Sequence, residues 1–197
     1  MNAEKTINLV LLGSLGPGKS CLLQRFARNV FDPEWPLVVG VDFENLQVRI
    51  RGQHITVRCW DIDGQSRFLE ITRAYCRGAD GALLVFDVTH RGSFDAIKDV
   101  WLPTIQESAR KKIPLVLVGN KLDKQVDREI SEEAKEYARL NGLQYIETSA
   151  KNGENVKAAF MLLLEDICNE RAAEKERAAA EQQRENDEKA TKRCIIL

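Results

Sequence analysis

Apolar residues follow two patterns along this chain, short apolar runs and strict alternation. Ile7 to Leu12 is a short apolar run that stops at Gly13. Such a run marks a strand buried on both faces. Ala82 to Val88 and Leu115 to Val118 read the same way, and Gln144 to Ile146 is a weaker instance. Alternation appears at Leu46, Val48 and Ile50, and again at Ile55, Val57 and Cys59. Arg51-Gly52-Gln53 separates these two runs, so they read as a hairpin. Helical spacing lies between the runs. Lys19 to Arg28 carries Cys21, Leu22 and Phe26, and Ser93 to Ala109 follows the fourth strand. Ser131 to Asn141 has Ser131-Glu132-Glu133-Ala134 as its start and Gly142 as its stop. A last helix begins near Asn155 and runs past Ile167. Strands alternating with helices predict an α/β three-layer sandwich, a mostly parallel six-stranded sheet with helices on both faces.

The pattern changes after about Asn169. From there to Arg193 no large apolar residue occurs, and seven basic residues stand against seven acidic ones. This segment has helix propensity but nothing to bury. The expected organisation is one domain over 1–168 and a charged tail over 169–197, a solvated extension or flexible tether. With 44% hydrophobic residues the chain can bury a core, and its net charge of −1 leaves no global basic field to draw nucleic acid. Four of the five cysteines, Cys21, Cys59, Cys76 and Cys168, sit in apolar or periodic stretches without any Cys-x-x-Cys pair. They read as buried reduced thiols of a reducing compartment. No apolar stretch approaches the ~18 residues of a membrane span. The N-terminus has no signal-peptide pattern. The cytosolic side of the cell is therefore expected.

Gly13-Ser14-Leu15-Gly16-Pro17-Gly18-Lys19-Ser20 matches G-x-x-x-x-G-K-[ST] and sits between a predicted strand and a predicted helix. Glycines let the backbone curl so that N–H groups point at a phosphate, and the helix N-terminus adds positive potential. Lys19 is expected on the β- and γ-phosphates and the Ser20 hydroxyl on Mg²⁺. The loop and the adjoining Cys21 make the phosphate half of a nucleotide site. Asn120-Lys121-Leu122-Asp123 lies at the C-terminal end of the Leu115–Val118 strand, where α/β sheets place ligand contacts. An aspartate carboxylate can accept from both N1–H and the N2 amino group of guanine, a donor pair that adenine lacks. Thr148-Ser149-Ala150-Lys151 follows the last strand and can close over the same base.

These motifs, with Asp61-x-x-Gly64-Gln65, occur in the order and spacing of the Ras-like small GTPases, and the resemblance spans roughly residues 5 to 168. Within that P-loop NTPase superfamily the chain resembles the Rab branch. Gly40-Val41-Asp42-Phe43, Trp60-Asp61, Tyr75-Cys76-Arg77-Gly78-Ala79, Phe86-Asp87-Val88-Thr89 and Ser93-Phe94 carry this. The resemblance implies GTP and GDP as ligands and Mg²⁺ as cofactor, the metal held by Ser20 and, through water, by Asp61. It implies that Gly64 N–H meets the γ-phosphate, that Gln65 orients the attacking water and that Phe31 packs on guanine. Phe43, Trp60 and Tyr75 resemble the aromatic triad that Rab partners read, next to Val38, Gly40, Val41 and Asp42. Core packing is the other reading of the three aromatics. Trp60 is out of phase with Ile55, Val57 and Cys59, which favours a different face. The implied partners are effectors, an exchange factor, a GTPase-activating protein, a prenyl transferase and a GDP-dissociation inhibitor.

Four residues depart from the family around the γ-phosphate. Val38 stands where a threonine ligates Mg²⁺ in the GTP state. Leu15 replaces a small residue and brings bulk toward the glutamine. Asp63 replaces an alanine and brings negative charge. Pro17 removes one loop N–H. Drift at tolerant positions is the alternative explanation. The chain ends Cys194-Ile195-Ile196-Leu197, which matches C-a-a-X with the leucine that favours geranylgeranylation. Only Lys192-Arg193 adds basic charge beside Cys194, so a single lipid predicts reversible attachment to the cytoplasmic face of an intracellular membrane, with a cytosolic pool. Two functions remain open: a Rab-like GTP/GDP switch with slow hydrolysis, and a hydrolysis-deficient binding module locked in one state. A P-loop kinase or ATPase is disfavoured by the guanine-reading tetrapeptide.

Overall fold

The computed structural model describes residues 6–34, 39–124 and 130–195, with all side chains except those of Ser66 and residues 185–195. Six strands form one sheet: β1 (Ile7–Leu12), β2 (Val41–Ile50), β3 (Gln53–Ile62), β4 (Gly81–Asp87), β5 (Leu115–Asn120) and β6 (Gln144–Glu147). Their order is β2-β3-β1-β4-β5-β6, parallel throughout except for the antiparallel β2–β3 pair. The predicted hairpin is present, with Arg51-Gly52 as its turn and Ile50 opposite Gln53.

Strand period two explains the short apolar runs. Along β1, Ile7, Leu9 and Leu11 pack with α1 (Lys19–Arg28) and α6 (Val156–Ile195) on one face. Val10 and Leu12 point to the other face, where α2 (Leu69–Cys76), α3 (Arg91–Ala96), α4 (Leu102–Ser108) and α5 (Ser131–Leu140) lie. Both faces are covered, so apolar residues fill the consecutive positions from Leu9 to Leu12, and only Asn8 interrupts them near the start of the strand. This is the expected three-layer sandwich.

Four details differ from the pattern-based expectation. First, β2 begins at Val41 instead of Leu46. It is an edge strand whose first residues, Asp42 to Glu44, pair with Cys59 to Asp61 through backbone rather than through buried side chains. Second, α2 escaped notice because its inward positions include Thr72, whose hydroxyl donates to Phe68 O (3.0 Å). Third, the helical stretch predicted from Ser93 starts at Arg91, capped by His90 Nδ1 accepting Ser93 N–H (3.0 Å). It contains a π turn at Ile97–Trp101 between α3 and α4. Fourth, α6 runs through position 169 to Ile195 without interruption. Arg171 pairs with Asp80 (2.7 Å), Lys111 with Glu174, and Arg51 bonds Asn169, so the contacts given for α6 against the domain reach Glu174.

The thiols of Cys21, Cys59, Cys76 and Cys168 are free. Cys59 and Cys76 are fully buried as expected, and that burial pushes each thiol up to about 12, whereas Cys21 and Cys168 are only half-buried, at the edge of the core. No helix among the described residues is long and apolar enough to cross a membrane.

Candidate nucleotide site

The C-terminal ends of β1, β3, β4 and β5 open on a cavity of about 740 Å³. Its position follows from topology. The chain leaves β1 toward β3 on one side and β4 on the other, and a crevice forms where the strand order diverges. The phosphate half is built by the loop from Gly13 to Gly18. Gly18 opens α1 at φ 90°, a left-handed conformation, and a Cβ there would lie 2.6 Å from Asn120 Nδ2. Lys19 follows, only 6% exposed, and its ammonium donates to Gly13 O (2.9 Å) and Ser14 O (2.8 Å). Burial lowers the Lys19 pKa to about 8, against the pull of Asp61 and Asp63.

Three loops are tied together by Asn120, which is buried. Its Nδ2 donates to Pro17 O (2.7 Å), and its Oδ1 accepts Thr148 Oγ–H (3.2 Å) and Ala150 N–H (3.1 Å). Lys121, at φ 72°, pairs with Asp87 at the end of β4 (2.7 Å). Burial works against the Asp87 charge, but the Lys121 and Thr89 hydrogen bonds outweigh it and keep the carboxyl below its usual range. Asp123 accepts the Ser149 hydroxyl (2.6 Å), and Lys151 Nζ stands 4.0 Å from its other oxygen. Arg25 reaches across from α1 to the carbonyls of Ala150 (2.9 Å) and Lys151 (2.7 Å).

Leu15, Gly16, Gly18, Lys19, Ser20 and Cys21 line the cavity at one end. Asn120, Lys121, Asp123, Ala150, Lys151 and Phe31 line it at the other, with Asp61 and Gly64 between. Gly13, Ser14, Pro17 and Ser149 act from behind the lining through the backbone and hydroxyl contacts just described. Gln65 is not among the lining residues; its amide is bonded to Asp63. Asp61 is 3% exposed, and its Oδ1 meets no hydrogen-bond partner among the described residues. Burial raises its pKa, against the pull of the Ser20 hydroxyl and Lys19. A buried carboxylate oxygen left without a donor, beside a serine hydroxyl, suits a hard divalent cation.

Pattern reading did not single out Arg25 or the cavity-lining Pro33, Ile62 and Lys124. Arg25 contacts residues about a hundred and twenty-five positions away, so no local signal exists for it. Asp87 and Thr148 were visible within quoted motifs, but their bracing roles were not.

Phe43, Trp60 and Tyr75 pack in a row of tilted rings with centroids 4.9 and 4.7 Å apart. Phe43 is 45% exposed, and Arg58 lies over both the Phe43 and Trp60 rings. Trp60 does pack on the face opposite Val57 and Cys59. Gly40 O accepts Asp63 N–H (2.8 Å), Val41 begins β2, and Asp42 lies exposed beside Phe43. Val38 lies outside the described residues. Cys194 falls within α6, but its side chain is not among those described, and residues 196–197 lie outside.

The sequence model of the Ras family matches residues 8–169. Ras-related protein Rab-13 of Mesocricetus auratus is 38% identical over 198 residues, covering 98% of this chain and 97% of its own length. Ras-related protein Rab-11C of Dictyostelium discoideum is 41% identical over 166 residues, 84% of this chain and 74% of its own. Ras-related protein Rab-8B of Homo sapiens is 41% identical over 160 residues, 81% and 77% respectively. With the loop, the guanine-reading tetrapeptide and the sheet order in the same chain, the chain belongs to the Ras family and, within it, to the Rab small GTPases, GTP-binding and GTP-hydrolysing switches of vesicle trafficking.

Proposed function

We propose that this protein is a guanine-nucleotide switch whose hydrolysis is slow. The observation that carries the reading is the convergence of Lys19, Asp61 and Asp123 on one cavity. Asp123 reads the guanine edge. Asn120, Ser149, Ala150 and Lys151 brace the base loop, and Phe31 flanks it. Lys19 and the N-terminus of α1 receive the phosphates. Ser20 and Asp61 would hold Mg²⁺, which supplies positive charge to the phosphate oxygens when bound. In hydrolysis a water oxygen bonds to the γ-phosphorus while the bond to the bridging oxygen breaks. The electron pair leaves with GDP, and the water's protons leave with phosphate and solvent. Gln65 must orient that water, and Gly64 N–H must meet the γ-phosphate.

Slowness is argued from residues around the γ-phosphate. Leu15 is 47% exposed at the cavity mouth, where an activating protein must insert a charge. Asp63 lines the cavity and adds like charge to the phosphates. Val38 has no hydroxyl with which to favour the GTP state. A ligand shifts a switch only by its differential affinity for the two states, so a lost GTP-only contact weakens switching. Rab membership implies effectors, an exchange factor, an activating protein and a GDP-dissociation inhibitor as partner classes. The Phe43–Trp60–Tyr75 row, exposed at Phe43 and half-buried at Trp60 and Tyr75, is the surface they would read. A geranylgeranyl group on Cys194, added by a prenyl transferase, would hold the protein at the cytoplasmic face of a membrane, with a cytosolic pool. The domain unit is 1–168 and the charged tail 169–197.

A second reading, a binding module locked in one state, is favoured by the engagement of Gln65 with Asp63. One experiment separates the two. Leu15→Ser, Val38→Thr and Asp63→Ala are combined, and single-turnover hydrolysis and the GTP/GDP affinity ratio are compared with the parent. The slow-switch reading expects measurable hydrolysis in the parent and an increase of about 10-fold or more in the triple variant. A parent with no turnover favours the locked module. A parent equal to the triple variant on both measures makes it an ordinary working GTPase.

A further inference from the structure

Asp63 is 2% exposed and lines the phosphate end of the cavity beside Leu15, Gly16 and Gly64. Both of its carboxylate oxygens are engaged by one residue. Oδ1 accepts the Gln65 backbone N–H (3.0 Å), and Oδ2 accepts the Gln65 side-chain amide (3.2 Å). The backbone around this pair packs closely on its neighbours. Asp63 N–H donates to Gly40 O (2.8 Å), and Gly64 lies so close to the loop that a Cβ would collide with the backbone of Gly13 and Ser14.

A glutamine that orients water needs its amide N–H and oxygen free to face the γ-phosphate. Here one N–H of that amide is held by an Asp63 carboxylate oxygen (3.2 Å), and Gln65 does not line the cavity. We propose that Asp63 is a positioning residue that clasps Gln65 out of the reaction. The clasp is an autoinhibitory contact inside the site, and hydrolysis waits on its release. This rests on the reading of the site as a GTPase site in which Gln65 orients water. It goes beyond charge repulsion, because a clasp acts through Gln65 and repulsion does not.

Asp63→Asn separates the two effects. It removes the charge but keeps an oxygen to accept the Gln65 N–H and an amide to meet the Gln65 oxygen. Asp63→Ala removes both charge and clasp. GDP binding by each variant is measured first, with fluorescent nucleotide. A parent that binds no GDP overturns the underlying reading and the clasp with it. With binding intact, single-turnover hydrolysis should rise about 10-fold or more in Asp63→Ala and by a factor at least about 3-fold smaller in Asp63→Asn, which relieves the charge repulsion but keeps the clasp. Gln65→Ala should lower the rate by a factor about 10-fold larger in the Asp63→Ala background than in the parent. An Asp63→Asn rate equal to that of Asp63→Ala, or a Gln65→Ala penalty equal in both backgrounds, overturns the clasp and leaves nucleotide binding untouched. If Asp63→Ala loses nucleotide, the parent alone decides. The Gln65 side-chain amide in a nitrogen–proton correlation spectrum of the GDP form, assigned by its loss in Gln65→Ala, should show slow exchange with solvent. Exchange as fast as that of an exposed glutamine amide overturns the proposal.

Discussion

Asp123 joins sequence, geometry and specificity at the scale of one residue. Its Oδ1 takes the Ser149 hydroxyl, so the carboxylate is held in place while it lines the cavity. Guanine offers two donors on one edge, and a carboxylate can accept both. Asp123→Asn replaces one acceptor with a donor and leaves a guanine N–H facing it. The expected loss in GDP binding is about 1.5–3 kcal/mol, the range for a hydrogen bond to a charged group. Preference should move toward xanthine nucleotides, which carry an acceptor in place of the amino group. Titration with labelled GDP and XDP checks this, and unchanged GDP affinity would refute the assignment. Asn120 works differently. It bonds Pro17, Thr148 and Ala150, holding three loops, and it touches the ligand region from within the frame.

At the scale of elements, α6 has two parts with different physics. From Val156 to Ile167 it buries Phe160, Leu163 and Leu164 against the sheet. Beyond Cys168 polar pairs take over: Arg171 with Asp80 and with Thr6 O, and Lys111 with Glu174. The Arg171–Asp80 pair is about three-quarters buried, with side chains 26% and 25% exposed. Shortening the chain after Arg177 keeps all of these contacts. Thermal unfolding of that variant should stay within about 2 °C of the parent, since the Arg171–Asp80, Arg171–Thr6 and Lys111–Glu174 contacts are all kept. Arg171→Ala should lower stability by about 1 kcal/mol, because it strands Asp80 and Thr6 O partly buried. Unfolding followed by circular dichroism measures both. A large drop on shortening would mean that the distal helix packs on the domain.

For the whole molecule the question is how the domain meets a membrane. No helix among the described residues is long and apolar enough to cross a membrane. The 20 residues of α6 from Lys175 to Cys194 extend roughly 30 Å at the helical rise. A lipid on Cys194 would therefore act well away from the nucleotide cavity. Each buried lipid CH₂ contributes ~0.8 kcal/mol, and the charge-balanced tail adds little attraction. Cys194→Ser should appear in the soluble fraction when cells are fractionated, while the parent partitions between pellet and supernatant. Equal pelleting of both proteins would exclude the lipid as the anchor.

The amino-acid order by itself showed the sheet's strands, the hairpin, the Gly13–Ser20 loop between strand and helix, the position of Asn120–Asp123 at the end of β5 and the out-of-phase Trp60. All of these are local: period two, period 3.6, or a short motif of neighbouring residues. The extension of β2 to Val41 came from edge pairing, which does not require apolar side chains. α2 depended on a threonine satisfying its own helix, so its buried face read as polar. Arg25 reaching Ala150 and Asn120 bracing three loops required the strands to be ordered first. Asp63 is mixed: its bonds to Gln65 span only two residues, but Asp63 N–H on Gly40 O and Gly64 against Gly13 and Ser14 join segments distant in sequence, which only folding brings together.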